Sequence, residues 1–153
     1  MTTAKPVTTP MIAHLPLTID AGSSTPHASD YRALVGGLQY LALTRIDIAF
    51  SVNKISQFMH RPSDLHWAAL RRLLRYLNGT IDHGLMLYKD SPPRLHAYTD
   101  ADWAGDRDSF VSTTGYIVYL GRYPLSWSSK KQQGVARSST EAEFRAVCCF
   151  YHG

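Results

Sequence analysis

Four aspartates, Asp100, Asp102, Asp106 and Asp108, crowd one short stretch of this chain, and Glu143 stands near its C-terminal end. Carboxylates gathered at a strand end can hold a hard cation such as Mg²⁺. Asp is equally common in polar turns, so the cluster alone leaves both readings open. Alternation along 95–100 puts Asp100 on one strand face with His96 and Tyr98. Glu143 is more telling. Ala146, Val147 and Phe150 follow it by three, four and seven residues, which places it within the apolar face of a C-terminal helix. Glu141 then points toward solvent. An acid on a packing face needs a partner, because burying an unpaired carboxylate is costly. A metal shared with Asp100 is one such partner, and an Arg or Lys is the other. Two carboxylates meeting from a strand end and a helix suit two-metal phosphodiester hydrolysis.

A second set is cationic. Arg71, Arg72 and Arg75 lie opposite the leucine stripe of a helix, one turn after His66 and Trp67. The planar donor fork of Arg suits phosphate, and an Arg row beside an aromatic can follow a nucleic-acid backbone. A solvated helix face has the same spacing. No glycine-rich phosphate loop and no nucleophile-elbow pattern competes with these sets. The seven histidines are scattered and read as surface or packing residues.

The elements that must position these residues change character near Gly79. Residues 1–28 contain four prolines and show no sustained period, so an extended, largely unpacked lead-in is expected. Residues 29–79 read as three helices. Ser29 or Asp30 caps the first. The second runs from near Asp47 and ends before Pro62. Ser63 caps the third, whose stripe is Leu70, Leu73, Leu74 and Leu77, and Asn78-Gly79 stops it. Gly36-Gly37 weakens the first helix by about 1 kcal/mol per glycine. Beyond that point strand-like runs take over: Gly84–Tyr88, Leu95–Asp100, and a hairpin of Thr114–Leu120 with Tyr123–Ser129 turning at Gly121-Arg122. A helix from about Ser139 to Phe150 closes the chain. The expected fold class is mixed α+β: an N-terminal helical segment, then an antiparallel sheet over 84–153 with one packing helix.

Composition sets the outer bounds. The chain has 153 residues, 44% hydrophobic and 18% charged, in the range of globular proteins. The apolar runs are too short for a membrane helix, and the first residues lack a secretion-signal pattern. The cysteines, Cys148 and Cys149, are adjacent and give neither a disulfide framework nor a zinc site. Residues 1–79 hold eight Lys/Arg against four Asp, whereas residues 80–153 hold eight of each sign. A basic half suits a polyanionic partner, though an ordinary solvated surface would carry the same excess.

Four stretches together resemble the Pol polyprotein of copia-type LTR retrotransposons. They are YRALVGGLQYLALTRIDIAFSVNKISQFMHRPSDLHWAALRRLLRYLNGT, AYTDADWAGDRDS, STTGYIVYLG and SWSSKKQQGVARSSTEAEFRAV, in the family's order and spacing. The resemblance covers residues 8–147. It implies that 29–79 corresponds to the helical thumb or connection of a reverse transcriptase, which meets template–primer duplex through residues such as Arg71, Arg72 and Arg75. It implies that 84–153 is the N-terminal half of a ribonuclease H domain, with Asp100 and Glu143 as catalytic metal ligands for Mg²⁺. It also implies that Ser138, Ser139 and Thr140 contact the DNA strand of an RNA–DNA hybrid, and that the remainder of Pol is a partner.

Ile46 stands where the family shows proline, which would soften the break between the first two helices. The tail CCFYHG also departs from the family pattern. The chain stops before the family's next strand and its further catalytic acids. Weak Mg²⁺ binding and little nuclease activity are therefore expected. Non-catalytic nucleic-acid binding and a functionless transposon relic are the competing expectations.

Overall fold

The computed structural model describes residues 5–13 and 17–152, and the side chains of residues 150–152 are outside that description. The chain divides into two compact units, 1–84 and 85–153.

Unit 1 is helical. Helix α1 (Ala28–Leu41) is followed by a single 3-10 turn (Ile46–Ile48), α2 (Ala49–Ser56) and α3 (Asp64–Gly79). Ser63 caps α3 as its position suggests: its hydroxyl accepts from the His66 N–H while the His66 ring accepts from the Ser63 N–H. Such reciprocal caps satisfy two backbone donors that a helix start otherwise leaves open. The core is one cluster of Tyr31, Val35, Leu38, Ile48, Val52, Ile55, Phe58, Leu70, Leu73 and Tyr76 with Leu17 and Ala69. The Tyr31 hydroxyl, buried among them, donates to the Ile55 carbonyl at 2.7 Å. Gly36 and Gly37 lie inside α1 without breaking it.

The lead-in is packed as well as extended. Leu17 is fully buried and Val7 and Met11 rest on the core. His66 Nε2 lies 3.1 Å from the Thr18 carbonyl. That carbonyl can only accept, and the Ser63 N–H at Nδ1 can only donate. The imidazole is therefore neutral, with its proton on Nε2.

Unit 2 is a three-stranded antiparallel sheet in the order β1-β2-β3, formed by β1 (Leu95–Asp102), β2 (Thr113–Leu120) and β3 (Tyr123–Lys131). Helix α4 (Ser139–His152) packs against β1 and β2. This is the expected mixed α+β class, and it is consistent with a ribonuclease-H-like sheet. The hairpin turns where expected: Leu120 pairs Tyr123, and the positive φ falls on Gly121. Glycine at the first position is what a two-residue hairpin loop of this kind requires. One expected strand is absent. Residues 84–88 form no strand, and Leu85, Met86 and Leu87 are exposed. A strand exists only where a ladder partner pairs with it, and none of the described strands does so here. Among the described residues, no helix is long and apolar enough to cross a membrane.

Candidate functional site

The site is built where β1 meets α4. Gln132 Nε2 donates to Thr114 Oγ1 and to the Ala142 carbonyl, each at 3.0 Å, so the Thr114 side chain faces α4. Ala101 is directly opposite Thr114 and shares that face. Asp100, one residue earlier, points from the other face of the sheet, together with His96 and Tyr98. There His96 stacks on Tyr119 with ring centroids 5.2 Å apart, and Tyr98 meets both rings edge-on.

Asp100 is exposed, and no side chain among the described residues pairs with it. Its cross-strand neighbour is Gly115, where an added Cβ would meet nothing within 4 Å. Open space therefore adjoins the Asp100 carboxylate.

Glu143 is paired with no Arg or Lys among the described residues; its partner is backbone. Its Oε1 accepts from the Ala101 N–H at 3.3 Å. A strand N–H lies near the plane of the sheet, and β1 has a neighbour on one side only, β2. The Glu143 carboxylate therefore sits at the open long edge of β1, beside the backbone of the residue after Asp100. The helix face differs from the one expected. Ala142 and Ala146 are fully buried, Glu143 is half-buried, and Val147 is exposed. The Phe150 side chain lies outside the described residues. The small alanines let the helix approach the sheet closely, and this brings a glutamate within reach of the strand edge.

Glu141 does turn away from the sheet. Its Oε1 accepts from Arg145 at 2.7 Å and its Oε2 from the Arg137 N–H at 2.8 Å. That backbone hydrogen bond, then the nearby Arg145 charge, holds its carboxyl below the ordinary range. Ser138 caps α4 by accepting from the Glu141 N–H at 3.2 Å, and Ser139 and Thr140 are exposed beside it.

The other acids separate by role. Asp106 is buried and accepts from Lys131 Nζ at 2.5 Å, from the Ser109 N–H at 3.2 Å and from the Ser109 hydroxyl. It anchors the β1–β2 connection. Asp102 packs against Gly105, where any Cβ would collide with its carboxylate. Among the described residues, no group of three or more His, Cys, Asp and Glu forms a metal cage. Asp100 and Glu143 supply oxygen donors of the kind Mg²⁺ takes, and Mg²⁺ commonly keeps several waters besides one or two carboxylates. The donor types fit, with a low protein ligand count; Asp100 leaves the sheet on the face away from α4, while Glu143 reaches the β1 edge from α4.

The arginine row is not uniform. Arg71 lies 5.7 Å above the Trp67 ring and is exposed. Arg72 instead donates to Thr9 Oγ1 at 2.7 Å and Arg75 to the Lys5 carbonyl at 2.7 Å. The latter two tie the lead-in to α3, and Arg71 is the exposed one of the three.

Sequence comparison identifies relatives of the whole segment. Over 147 residues, 96% of this chain, it is 61% identical to the retrovirus-related Pol polyprotein from transposon RE2 of Arabidopsis thaliana. The Pol polyprotein from transposon TNT 1-94 of Nicotiana tabacum is 42% identical over 96% of this chain. The chain belongs to the Pol polyproteins of copia-type retrotransposons. It spans about a tenth of the length of these Pol relatives, 10% of the first and 12% of the second. A shorter relative, the secreted RxLR effector protein 161 of Plasmopara viticola, is 47% identical over 76% of this chain and 83% of its own length. No family model matches the chain, and no solved structure does.

Two features of this Pol segment carried no signal strong enough to single them out. The buried Arg45 forks onto Asp47 at 2.9 and 2.7 Å and donates to the Thr80 carbonyl and hydroxyl. Tyr76 donates to the same Asp47 at 2.8 Å. The network closes the α1–α2 turn against the end of α3, and the break at Ile46 is a defined 3-10 turn. Its clue was the Arg-Ile-Asp spacing, but Tyr76 and Thr80 are about thirty residues away. The second feature is Trp103, whose indole N–H donates to the Ala136 carbonyl at 3.0 Å.

Proposed function

We propose that this chain is the part of Pol in which the end of the reverse transcriptase meets ribonuclease H, and that it lies against an RNA–DNA hybrid. Asp100 and Glu143 would be its two metal-holding carboxylates, and Mg²⁺ bound there would activate water toward the RNA strand. The observation that carries this reading is the Glu143 carboxylate at the Ala101 N–H, 3.3 Å away, on the residue that follows the exposed Asp100. Ser138, Ser139 and Thr140 stand at the exposed start of the same helix, where backbone N–H groups favour a phosphate. With two carboxylates the ion is held weakly, and the expected hydrolysis by this chain is little or none.

Calorimetric titration with Mg²⁺ tests the metal reading. Weak binding is expected, and Asp100→Asn and Glu143→Gln should each abolish it. Binding unchanged in both variants would sink the assignment. Brisk degradation of the RNA strand in Mg²⁺, lost on Asp100→Asn, would instead overturn the expected inactivity.

A second reading, nucleic-acid binding without chemistry, is favoured by the exposed Arg71 over Trp67. It requires log affinity for the hybrid to fall linearly with log salt. A flat titration eliminates it.

A further inference from the structure

Trp103 stands at the junction of every segment in the candidate site. It follows Asp100 by three residues and Ala101, the Glu143 partner, by two. Its indole N–H is fixed on the Ala136 carbonyl, two residues before the α4 cap Ser138. The ring is half out, at 49% exposure, although the carbonyl bond already satisfies its polar atom. Ala136 itself is buried, so this tether holds the ring in place. Arg137, next in sequence to Ala136, is exposed; its backbone N–H donates to Glu141 Oε2, and its charge acts on that carboxylate from solvent. An orientated aromatic surface anchored one residue before an exposed arginine is suited to one strand of nucleic acid, the ring taking an apolar face and the guanidinium a phosphate. In a duplex the base faces are covered by stacking, and the sugars remain open along the wide minor groove.

We infer that Trp103 and Arg137 form a strand-positioning subsite, in which the indole packs on a sugar of an RNA–DNA hybrid and Arg137 pairs with the adjoining phosphate. The inference rests on the hybrid-binding reading above and adds the residues that set the register of the strand against Asp100. Trp103 is a positioning residue here, since the hydrolytic chemistry belongs to the carboxylates.

The test uses the full chain in Mg²⁺ buffer with an RNA–DNA hybrid. Trp67→Phe combined with Trp127→Phe leaves Trp103 as the single tryptophan. Its emission should change on titration with the hybrid. In the otherwise unaltered chain, Trp103→Ala should weaken hybrid affinity about ten-fold, and Trp103→Phe, which keeps a ring but no N–H, should recover most of it. Arg137→Ala should lower the slope of log affinity against log salt by about one. Hybrid binding with ordinary salt dependence but unmoved Trp103 emission overturns the subsite and leaves the function standing. Trp103→Phe as weak as Trp103→Ala also overturns it, making the indole a loop tether only. Single strands that bind more tightly than the hybrid, with base-dependent quenching, overturn the sugar contact. No hybrid binding in any form overturns both readings. Because the emission titration uses the native Trp103, it holds even if Trp103→Ala fails to fold.

Discussion

Unit 1 and unit 2 bury very different materials. In unit 1 the buried apolar side chains include Tyr31, Ile48, Ile55, Leu70 and Leu73, large groups that meet in one cluster, with Arg45, Ser51, Ser63 and His66 buried as well. In unit 2 they are Ala136, Ala142, Ala146, Ser112, Thr113, Thr114 and Asp106, with Val111 the bulkiest apolar one among the described residues. Burial of a Leu or Ile side chain stabilises by roughly 1.5–3 kcal/mol, and an alanine contributes far less. Unit 1 is thus held by apolar volume. Unit 2 is held by the strand ladder, a close helix approach and buried polar bonds. The candidate site lies in the second kind of structure, where carboxylates can remain near the surface.

Truncation tests this contrast most directly. Trp67 lies in unit 1 and Trp103 and Trp127 in unit 2, so variants that keep Trp67 alone or Trp127 alone follow each unit separately in chemical denaturation. Leu73→Ala should cost unit 1 about 3 kcal/mol, against about 1–1.5 kcal/mol for Val111→Ala in unit 2. Equal losses would break the comparison. Next in size is the polar anchor of unit 2. Asp106→Ala strands Lys131 and Ser109 and should cost about 2 kcal/mol, less than a fully buried pair because Lys131 is partly exposed. A loss no larger than that of Val111→Ala would show that the polar bonds contribute little.

Acid sharpens the same contrast from the side of unit 1. The Asp47 carboxyl is lowered from 3.8, first by its hydrogen bonds with Arg45, with burial opposing. A lowered folded-state value means that its contribution is fully present above 3.8 and is lost as pH falls below it. The Trp67 transition should therefore weaken below that pH, and Asp47→Asn should remove this part of the dependence. An unchanged acid profile in Asp47→Asn would show that the network adds no pH-linked stability. The smallest effect expected is a gain. Ala104 holds φ at +53°, a conformation that costs a side-chain-bearing residue about 1 kcal/mol. Ala104→Gly should raise unit 2 stability by about 0.5 kcal/mol after the glycine's unfolded-state entropy is counted.

Little of the candidate site's geometry was legible in the residues. Glu143 was read as an acid on the packing face, yet that face is Ala142 and Ala146, and Glu143 is half-buried with its carboxylate on the Ala101 N–H. The identity of that partner was not legible, since a backbone N–H leaves no mark in a sequence. Asp106 looked like its neighbours, yet burial and Lys131 make it an anchor. Arg72 and Arg75 read as part of a free row because the distant residues they hold, Thr9 and Lys5, belong to a lead-in without periodicity.

What the sequence determined by itself was local: the Ser63 cap, the stop at Asn78-Gly79, the Gly121 turn and the succession of helices followed by strands. These depend on backbone preferences and hydrogen bonds within a few residues of each other. Tertiary structure alone decided that residues 84–88 form no strand, that Arg45 meets Thr80, and that Glu143 reaches the edge of β1. Each of these outcomes depends on which distant group arrives opposite, and only the folded chain selects that group.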